Sequence, residues 1–172
     1  MAAHQPLDLE RINPKEFDVG SLDDELRVDE LCTRLLLAVR DRLLTDGPGD
    51  PLVVGELCQG ADYFLREFVI AECADNLLEL PPERVRQFAG HWYIVRTLEP
   101  NPKELAAILG GVAACYRTLA ATGLVDPARA EAIAAGCADL PFYSQRIADF
   151  WAIEGDGFDR WRAVCPLPAG QA

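Results

Sequence analysis

The sequence is poor in the residues and motifs on which most enzyme active sites depend. Of its 2 histidines only His91 lies beyond the N-terminal segment, and its only serines are Ser21 and Ser144. The hydrolase motif GxSxG and the phosphate-binding patterns GxGxxG and GxxxxGKS/T are absent. No cysteine has basic neighbours in the sequence that would lower the pKa of its thiol and make it a nucleophile. The sequence therefore favours a protein without catalytic activity, and it identifies no catalytic residue and no cofactor.

Metal-binding patterns are also lacking. The 6 cysteines include no CxxC pair, and a zinc site normally needs close pairs of Cys or His. A di-iron bundle needs Glu-x-x-His motifs, and none occurs. The acidic segment 154–159, EGDGFD, lacks the DxDxDG ladder of a calcium loop, which favours a plain turn. We therefore assign no metal, and we expect reduced, mostly buried thiols in a cytoplasmic protein.

Long apolar runs and an excess of positive charge are missing as well. No stretch of about 18 apolar residues is seen that would predict a membrane helix. The N-terminus lacks the pattern of a signal peptide. The chain carries 28 acidic against 16 basic residues, a net charge of −12 that is spread along its length. Because such a surface repels phosphate backbones and anionic lipid, we expect neither nucleic acid nor a membrane as a partner.

What the sequence does contain is apolar periodicity of three and four residues. The clearest stripe runs from Leu105 to Ala120, and similar stripes precede and follow it. Alternation with a period of two is not sustained, so strands are not expected. The prediction is an all-α fold, a single-domain helical bundle of five to six main helices over residues 21–165. An irregular N-terminal arm (1–20) and a flexible C-terminal tail (166–172) flank it.

Capping residues and prolines divide this helical chain. Ser21 followed by acidic residues is typical of a helix N-terminus, and the segment 45–50, TDGPGD, ends that first helix. We expect the second helix to run from Pro51 to about Leu80, and the third from Pro82 to near Glu99. Three starts combine a capping residue with Pro at the first helical position, which gives short connections: Asp50-Pro51, Asn101-Pro102 and Asp126-Pro127.

Small residues mark two points of the fourth helix. Gly110-Gly111 and Ala113-Ala114 leave a flat patch that a neighbouring helix or a partner protein can approach closely. Gly123 is placed to end this helix as a left-handed stop, because only glycine adopts that conformation without a steric cost.

Five polar side chains fall at or near apolar positions of the second and third helices. On a straight second helix, Glu72, Asp75 and Glu79 lie on the face that the apolar stripe buries. Arg96 does the same on the third helix, and His91 lies near it. Because a buried charge needs a partner, one interpretation is a polar pocket between these helices for a small molecule, Mg²⁺ or Ca²⁺. The alternative is that both helices leave the core there and that an Arg96–carboxylate bridge links their solvated ends.

The segment RQFAGH places four residues between Arg86 and His91. This spacing resembles the Arg-x(4–6)-His signature of the HEPN superfamily of all-α ribonucleases and nucleotide transferases. The resemblance implies that Arg86 and His91 act together on a phosphodiester in a dimer cleft. It covers only this segment, Gln87 stands where the family commonly has Asn, Asp or His, and the charge of −12 disfavours RNA. The alternative for His91 is a hydrogen-bonded imidazole at the edge of the core.

The C-terminal segments FYSQRIADFW and FDRWRAVC combine aromatic residues with arginine, a mixture that is enriched at protein interfaces. Tyr143, Trp151, Phe158 and Trp161 are therefore the candidate interface, and burial in the core is the alternative. We expect a non-catalytic interaction or accessory protein whose partner is another protein or a second copy of itself. The second hypothesis is a small-molecule or metal-binding helical bundle, including an enzyme, with its site between helices two and three.

Overall fold

Helix-forming sequence occupies most of the chain, and the computed structural model, which describes residues 5–168, confirms the all-α prediction. Within that range there is no strand, and seven continuous helices are present where five to six were expected. π-helical segments at Phe64–Ile70 and Phe88–Trp92 extend α2 and join α3 to α4. The other elements are a 3₁₀ helix (Pro14–Phe17), α1 (Leu22–Asp46), α2 (Pro51–Tyr63), α3 (Glu83–Gln87), α4 (Tyr93–Arg96), α5 (Pro102–Ala121), α6 (Pro127–Ala138), α7 (Leu140–Trp151) and α8 (Gly157–Ala163).

The long helices begin where the capping residues predict. The Ser21 hydroxyl accepts a hydrogen bond from a first-turn amide of α1 at 3.2 Å, and Asn101 Oδ1 does the same for α5 at 2.8 Å. Asp50 and Asp126 cap α2 and α6, each followed by Pro at the first helical position. Gly123 stands just beyond α5 with a φ of +80°, as the predicted left-handed stop requires. Each of the four N-terminal caps accepts a hydrogen bond from a backbone N–H that has no partner within its helix.

α5 is the central helix of the fold. It packs against α2 and α6, and it also touches α1 and α7. The approach of α2 is closest at Gly111, where an added Cβ would stand 2.9 Å from the Ala61 amide nitrogen and nearer still to the Leu57 carbonyl oxygen. The small-residue patch of the fourth helix is therefore at least in part a helix–helix contact inside the chain.

α5 is also the one helix among the described residues that is long and apolar enough to cross a membrane. Its most apolar stretch has a mean hydropathy of 1.3, and 50% of that stretch is buried inside the protein. The helix meets this criterion by mean hydropathy and not by an uninterrupted stretch of about 18 apolar residues, which the sequence lacks. A helix that packs against neighbours on several sides needs apolar residues on each of those sides. The packing of α5 inside the protein therefore accounts for its apolar composition.

The second helix is shorter than predicted. α2 and its π extension end at Ile70, well short of Leu80. Shortly afterwards Ala74 has a φ of +51°, in the left-handed region that a non-glycine residue rarely occupies. The connection places its leucines in the core in a non-helical conformation, which hydrogen bonds to other parts of the chain hold in place. The buried residues are Leu77, Leu78 and Leu80.

Hydrogen bonds from distant residues fix this connection. The Tyr116 hydroxyl on α5 donates to the Leu77 carbonyl oxygen at 2.8 Å. The side-chain amide of Asn76 donates to the Pro14 carbonyl oxygen at 2.9 Å, and its Oδ1 accepts from the Leu78 amide at 2.9 Å. Because Tyr116 and Pro14 come from other parts of the chain, the local helical pattern does not reveal these two contacts.

The two π segments meet at an aromatic cluster. The ring centroid of Phe88 lies 5.0 Å from that of Phe64, 5.4 Å from that of Phe68 and 5.7 Å from that of Trp92. π-helical turns are rare, and they occur frequently at functional sites. The second π segment, which carries His91, is therefore a natural place to look for one.

The described part of the N-terminal arm packs against the helices. Leu9 and Phe17 are buried, and Leu7 and Ile12 are partly buried against the same core. The Leu7 amide donates a hydrogen bond to the Arg34 carbonyl oxygen on α1 at 3.2 Å. Residues 1–4 of the predicted arm and 169–172 of the predicted tail lie outside the described residues.

Candidate functional site

The structure divides the five predicted pocket residues among separate contacts. Arg96 Nη2 lies 3.2 Å from Glu72 Oε2, which is the bridge that the alternative interpretation expects. Asp75 pairs instead with Arg84 at 2.5 Å, and Glu79 is exposed.

His91 is buried and contacts a different part of the chain. Within residues 5–168 no hydrogen bond or ion pair joins the five residues into one set. The reason is that the second helix ends at Ile70, so the three carboxylates do not share a helical face.

Arg86 and His91 also contact different elements. The Arg86 guanidinium lies 3.7 Å from the centre of the Phe142 ring and pairs with Asp139 at 3.5 Å. The imidazole of His91 is engaged with the C-terminal segment instead, through its Nδ1 and the carbonyl oxygen of Cys165. These contacts match the alternative of a hydrogen-bonded imidazole and give no support to a phosphodiester site.

Another group of residues is built around the second π segment. His91 Nδ1–H donates to the Cys165 carbonyl oxygen at 2.7 Å, and Arg146 Nε donates to the Gly90 carbonyl oxygen at 3.0 Å. Trp161 Nε1 in turn donates to the Arg146 carbonyl oxygen at 3.0 Å. Gly90 is required here, because a Cβ would stand 2.8 Å from Cys165 Sγ. We call these five residues the C-terminal cluster.

Arg146 is the unusual member of the C-terminal cluster. It is 3% exposed, and among the described residues it forms no ion pair. Its guanidinium lies 4.0 Å from the centre of the Trp161 ring, in a cation–π contact. Nη2 is closed to solvent and has no hydrogen-bond partner. Burial, which penalises the charged form, lowers the pKa of Arg146.

An open depression lies beside the C-terminal cluster, between the end of α7 and α8. Its volume is about 450 Å³. Arg146, Trp161, Ile153 and Val164 contribute to its walls, and Arg160 brings a second positive charge. Because Arg146 is buried and still lines the depression, its side chain lies at the floor. The arrangement offers a positively charged group below an apolar wall.

An aromatic surface adjoins the depression. Trp151 is 61% exposed and Phe158 is 39% exposed. Ring contacts through Phe150 and Trp161 connect the two: the centroid distances are 5.8 Å from Trp151 to Phe150, 5.1 Å from Phe150 to Trp161 and 5.8 Å from Trp161 to Phe158. We call Trp151, Phe158 and the exposed Val164 the aromatic surface.

The other two predicted interface residues belong to the core. Tyr143 is buried, and its hydroxyl donates to the Gly136 carbonyl oxygen at 2.8 Å. Trp161 is buried between Arg146 and the neighbouring aromatic rings. The interface prediction is thus corrected for Tyr143 and Trp161, which support the aromatic surface from below. The reason is that α7 and α8 each turn one side inward, a distinction that a list of residue types does not make.

The titratable groups show no sign of an activated nucleophile. All six cysteines are free, and only Cys58 among them is not fully buried. Burial raises the pKa of the Cys32, Cys73 and Cys137 thiols to about 12, so these remain protonated at neutral pH. His91 has a pKa lowered from its ordinary value of 6.5, chiefly because of burial and despite the bond to Cys165. No group of three or more His, Cys, Asp or Glu within residues 5–168 is arranged to hold a metal ion.

No protein-family model, curated protein or solved structure matches this chain. Function is therefore inferred from the geometry and charges of the chain itself. The features that sequence reasoning missed are Arg146 and the depression above it. A signal was present, since Arg146 lies at the helical spacing of Tyr143, Ile147 and Phe150, and a charge within an apolar stripe marks a position to examine.

Proposed function

We propose that this chain is a non-catalytic interaction protein that self-associates through the aromatic surface on α7 and α8. The observation that carries the proposal is the exposure of Trp151, 61%, which Phe150 and Trp161 connect through ring contacts to a further exposed aromatic residue, Phe158. Trp residues dominate the binding energy of many interfaces, and exposing one to water costs free energy that a partner recovers. In this proposal the remaining helices form a bundle around α5 that holds α7 and α8 in place.

The charges next to the aromatic surface favour a second copy of the chain as the partner. Glu154, Asp156 and Asp159 are followed closely there by Arg160 and Arg162. A two-fold axis brings the same patch of each copy together, so a patch with both signs can complement itself. We further propose a cytoplasmic location, because free thiols persist in a reducing compartment.

Sedimentation equilibrium tests the proposal directly. We expect the wild-type protein to be in reversible equilibrium with a dimer at micromolar concentrations, and Trp151→Ser to raise the dissociation constant by about tenfold or more, or about 1.4 kcal/mol. Leu98→Ser is the matched control, since Leu98 is 95% exposed and lies just beyond the third continuous helix, not on α7 or α8. We expect this control to associate like the wild type.

The contradictory results are equally clear. A wild-type protein that stays monomeric at high micromolar concentration excludes self-association through this surface. An effect of Leu98→Ser equal to that of Trp151→Ser excludes the assignment to α7 and α8, because the loss would then reflect apolar exposure in general.

A further inference from the structure

Contacts within the described chain compensate the positive charge of Arg146 only in part, because Asp149 and Cys165 favour the charged form but no carboxylate is close enough to form an ion pair. A guanidinium carries five N–H donors, and here the Nε bond to the Gly90 carbonyl oxygen is the one hydrogen bond that its side chain makes within residues 5–168. Nη2 is buried without a partner. The Trp161 ring offsets part of the cost, yet a buried charge ordinarily has an anion or several acceptors around it.

The depression above Arg146 has the size and lining of a small-molecule site. Its volume of about 450 Å³ falls within the range of known ligand pockets. Ile153 and Val164 supply apolar walls, and Trp161 supplies an aromatic one. An anion that enters from the open side meets the guanidinium at the floor.

We propose that this depression binds a monocarboxylate with an apolar body, its carboxylate on the Arg146 guanidinium and its body against Ile153 and Val164. A planar guanidinium offers a carboxylate two parallel N–H bonds, which an ammonium group does not, and Arg146 forms the second of them when its guanidinium turns the closed Nη2 towards the depression. The site lies within one chain and requires no second copy, so the proposal goes beyond self-association and does not depend on it.

The charges around the depression favour a carboxylate over a phosphate. Arg160 adds a positive charge to its lining, while Asp149 and Glu154 add negative charges. Asp149 is itself engaged, since its Oδ1 accepts from Gln145 Nε2 at 2.8 Å. The charges of these three side chains and Arg146 sum to zero, so the second negative charge of a dianion gains no net attraction there and adds to the cost of leaving water.

Isothermal titration calorimetry with hexanoate, and with inorganic phosphate as a second arm, tests the proposal. We expect saturable binding of hexanoate, with phosphate at least about tenfold weaker. Arg146→Lys keeps the charge and removes the planar fork, and we expect it to weaken hexanoate binding about tenfold. The matched control is Arg11→Lys, the same exchange at an exposed residue outside the depression, which is expected to leave hexanoate binding unchanged.

Several outcomes overturn the proposal. They are a folded wild-type protein without saturable hexanoate binding, phosphate bound as tightly as hexanoate, or an Arg146→Lys variant with unchanged affinity. If Arg146→Lys does not fold, Ala152→Glu replaces it, because this exposed residue lines the depression outside the aromatic surface and a carboxylate there competes with the ligand. Hexanoate binding to the Trp151→Ser variant separates the two proposals. If this variant is monomeric and still binds hexanoate, the ligand site exists independently of the dimer.

Discussion

Two basic side chains, His91 and Arg146, are buried next to each other, and each is held by a backbone carbonyl oxygen. Within the described residues neither has a carboxylate partner. The low polarity of such a place disfavours the charged form of a base. For an imidazole, whose ordinary pKa lies near neutrality, this makes stability depend on pH.

The pH dependence that His91 contributes has a defined sign. Because the pKa of His91 is lowered from 6.5 in the folded protein, the unfolded chain binds a proton more readily. The contribution of neutral His91 is therefore fully present above pH 6.5 and is lost progressively as the pH falls below it. We expect His91→Asn, whose Nδ2 can replace the bond to Cys165 without titrating, to lose less stability on acidification than the wild type.

Urea unfolding of both proteins from about pH 8 to about pH 5 measures this difference. Carboxylates titrate in both proteins, so their effect cancels when the two curves are subtracted. Parallel curves through this range contradict the proposed burial of a neutral His91.

The residue scale is also where sequence and structure differ most. The spacing of Glu72, Asp75 and Glu79 assumes a straight helix, and the chain leaves the helix at Ile70 before reaching them. The buried position of Arg146 involves a hydrogen bond to the carbonyl oxygen of Gly90, 56 positions earlier in the chain. Contacts of this kind arise from packing between distant segments, so a single sequence does not display them.

Among the helices, the contact between α2 and α5 provides a paired test. Gly111→Ala places a Cβ against the α2 backbone, where no side chain can move aside. We expect a loss of about 1–3 kcal/mol or more in the free energy of unfolding, measured by urea denaturation. Gly110→Ala is the control, because its Cβ meets nothing nearer than Leu57 Cδ2 at 3.9 Å, and we expect it to gain about 1 kcal/mol. Equal effects of the two substitutions contradict the described packing.

The connection between Ile70 and α3 depends on one hydroxyl of α5. Tyr116→Phe removes the donor to the buried Leu77 carbonyl oxygen and leaves that acceptor without a partner. We expect a loss of about 1–3 kcal/mol in the free energy of unfolding, together with faster amide hydrogen exchange in residues 71–82. Unchanged stability and exchange show that the connection does not rely on this bond.

Element boundaries follow from the sequence where the signal is local. Ser21, Asp50, Asn101 and Asp126 cap their helices as predicted, because a side-chain oxygen binds an amide only a few residues away. The π segments and the early end at Ile70 were not predicted, since tertiary contacts made by Tyr116 and by the aromatic cluster determine them.

For the whole molecule, net charge and apolar exposure act in opposite directions. The charge of −12 repels a second copy, while the aromatic surface favours contact with one. Salt screens the repulsion without weakening apolar burial. We therefore expect dimerisation to strengthen as ionic strength rises, which sedimentation equilibrium at low and moderate salt measures. Association that weakens with salt contradicts an apolar interface and indicates one held by ion pairs.

The central claim is that α7 and α8 form the contact between two copies. Amide hydrogen exchange of the wild-type protein, measured above and below the concentration at which half is dimeric, tests it most directly. Exchange in Leu140–Trp151 and Gly157–Ala163 is predicted to slow at the higher concentration, while exchange in α1 stays unchanged. Exchange that does not depend on concentration, or protection that appears on other helices instead, contradicts the account.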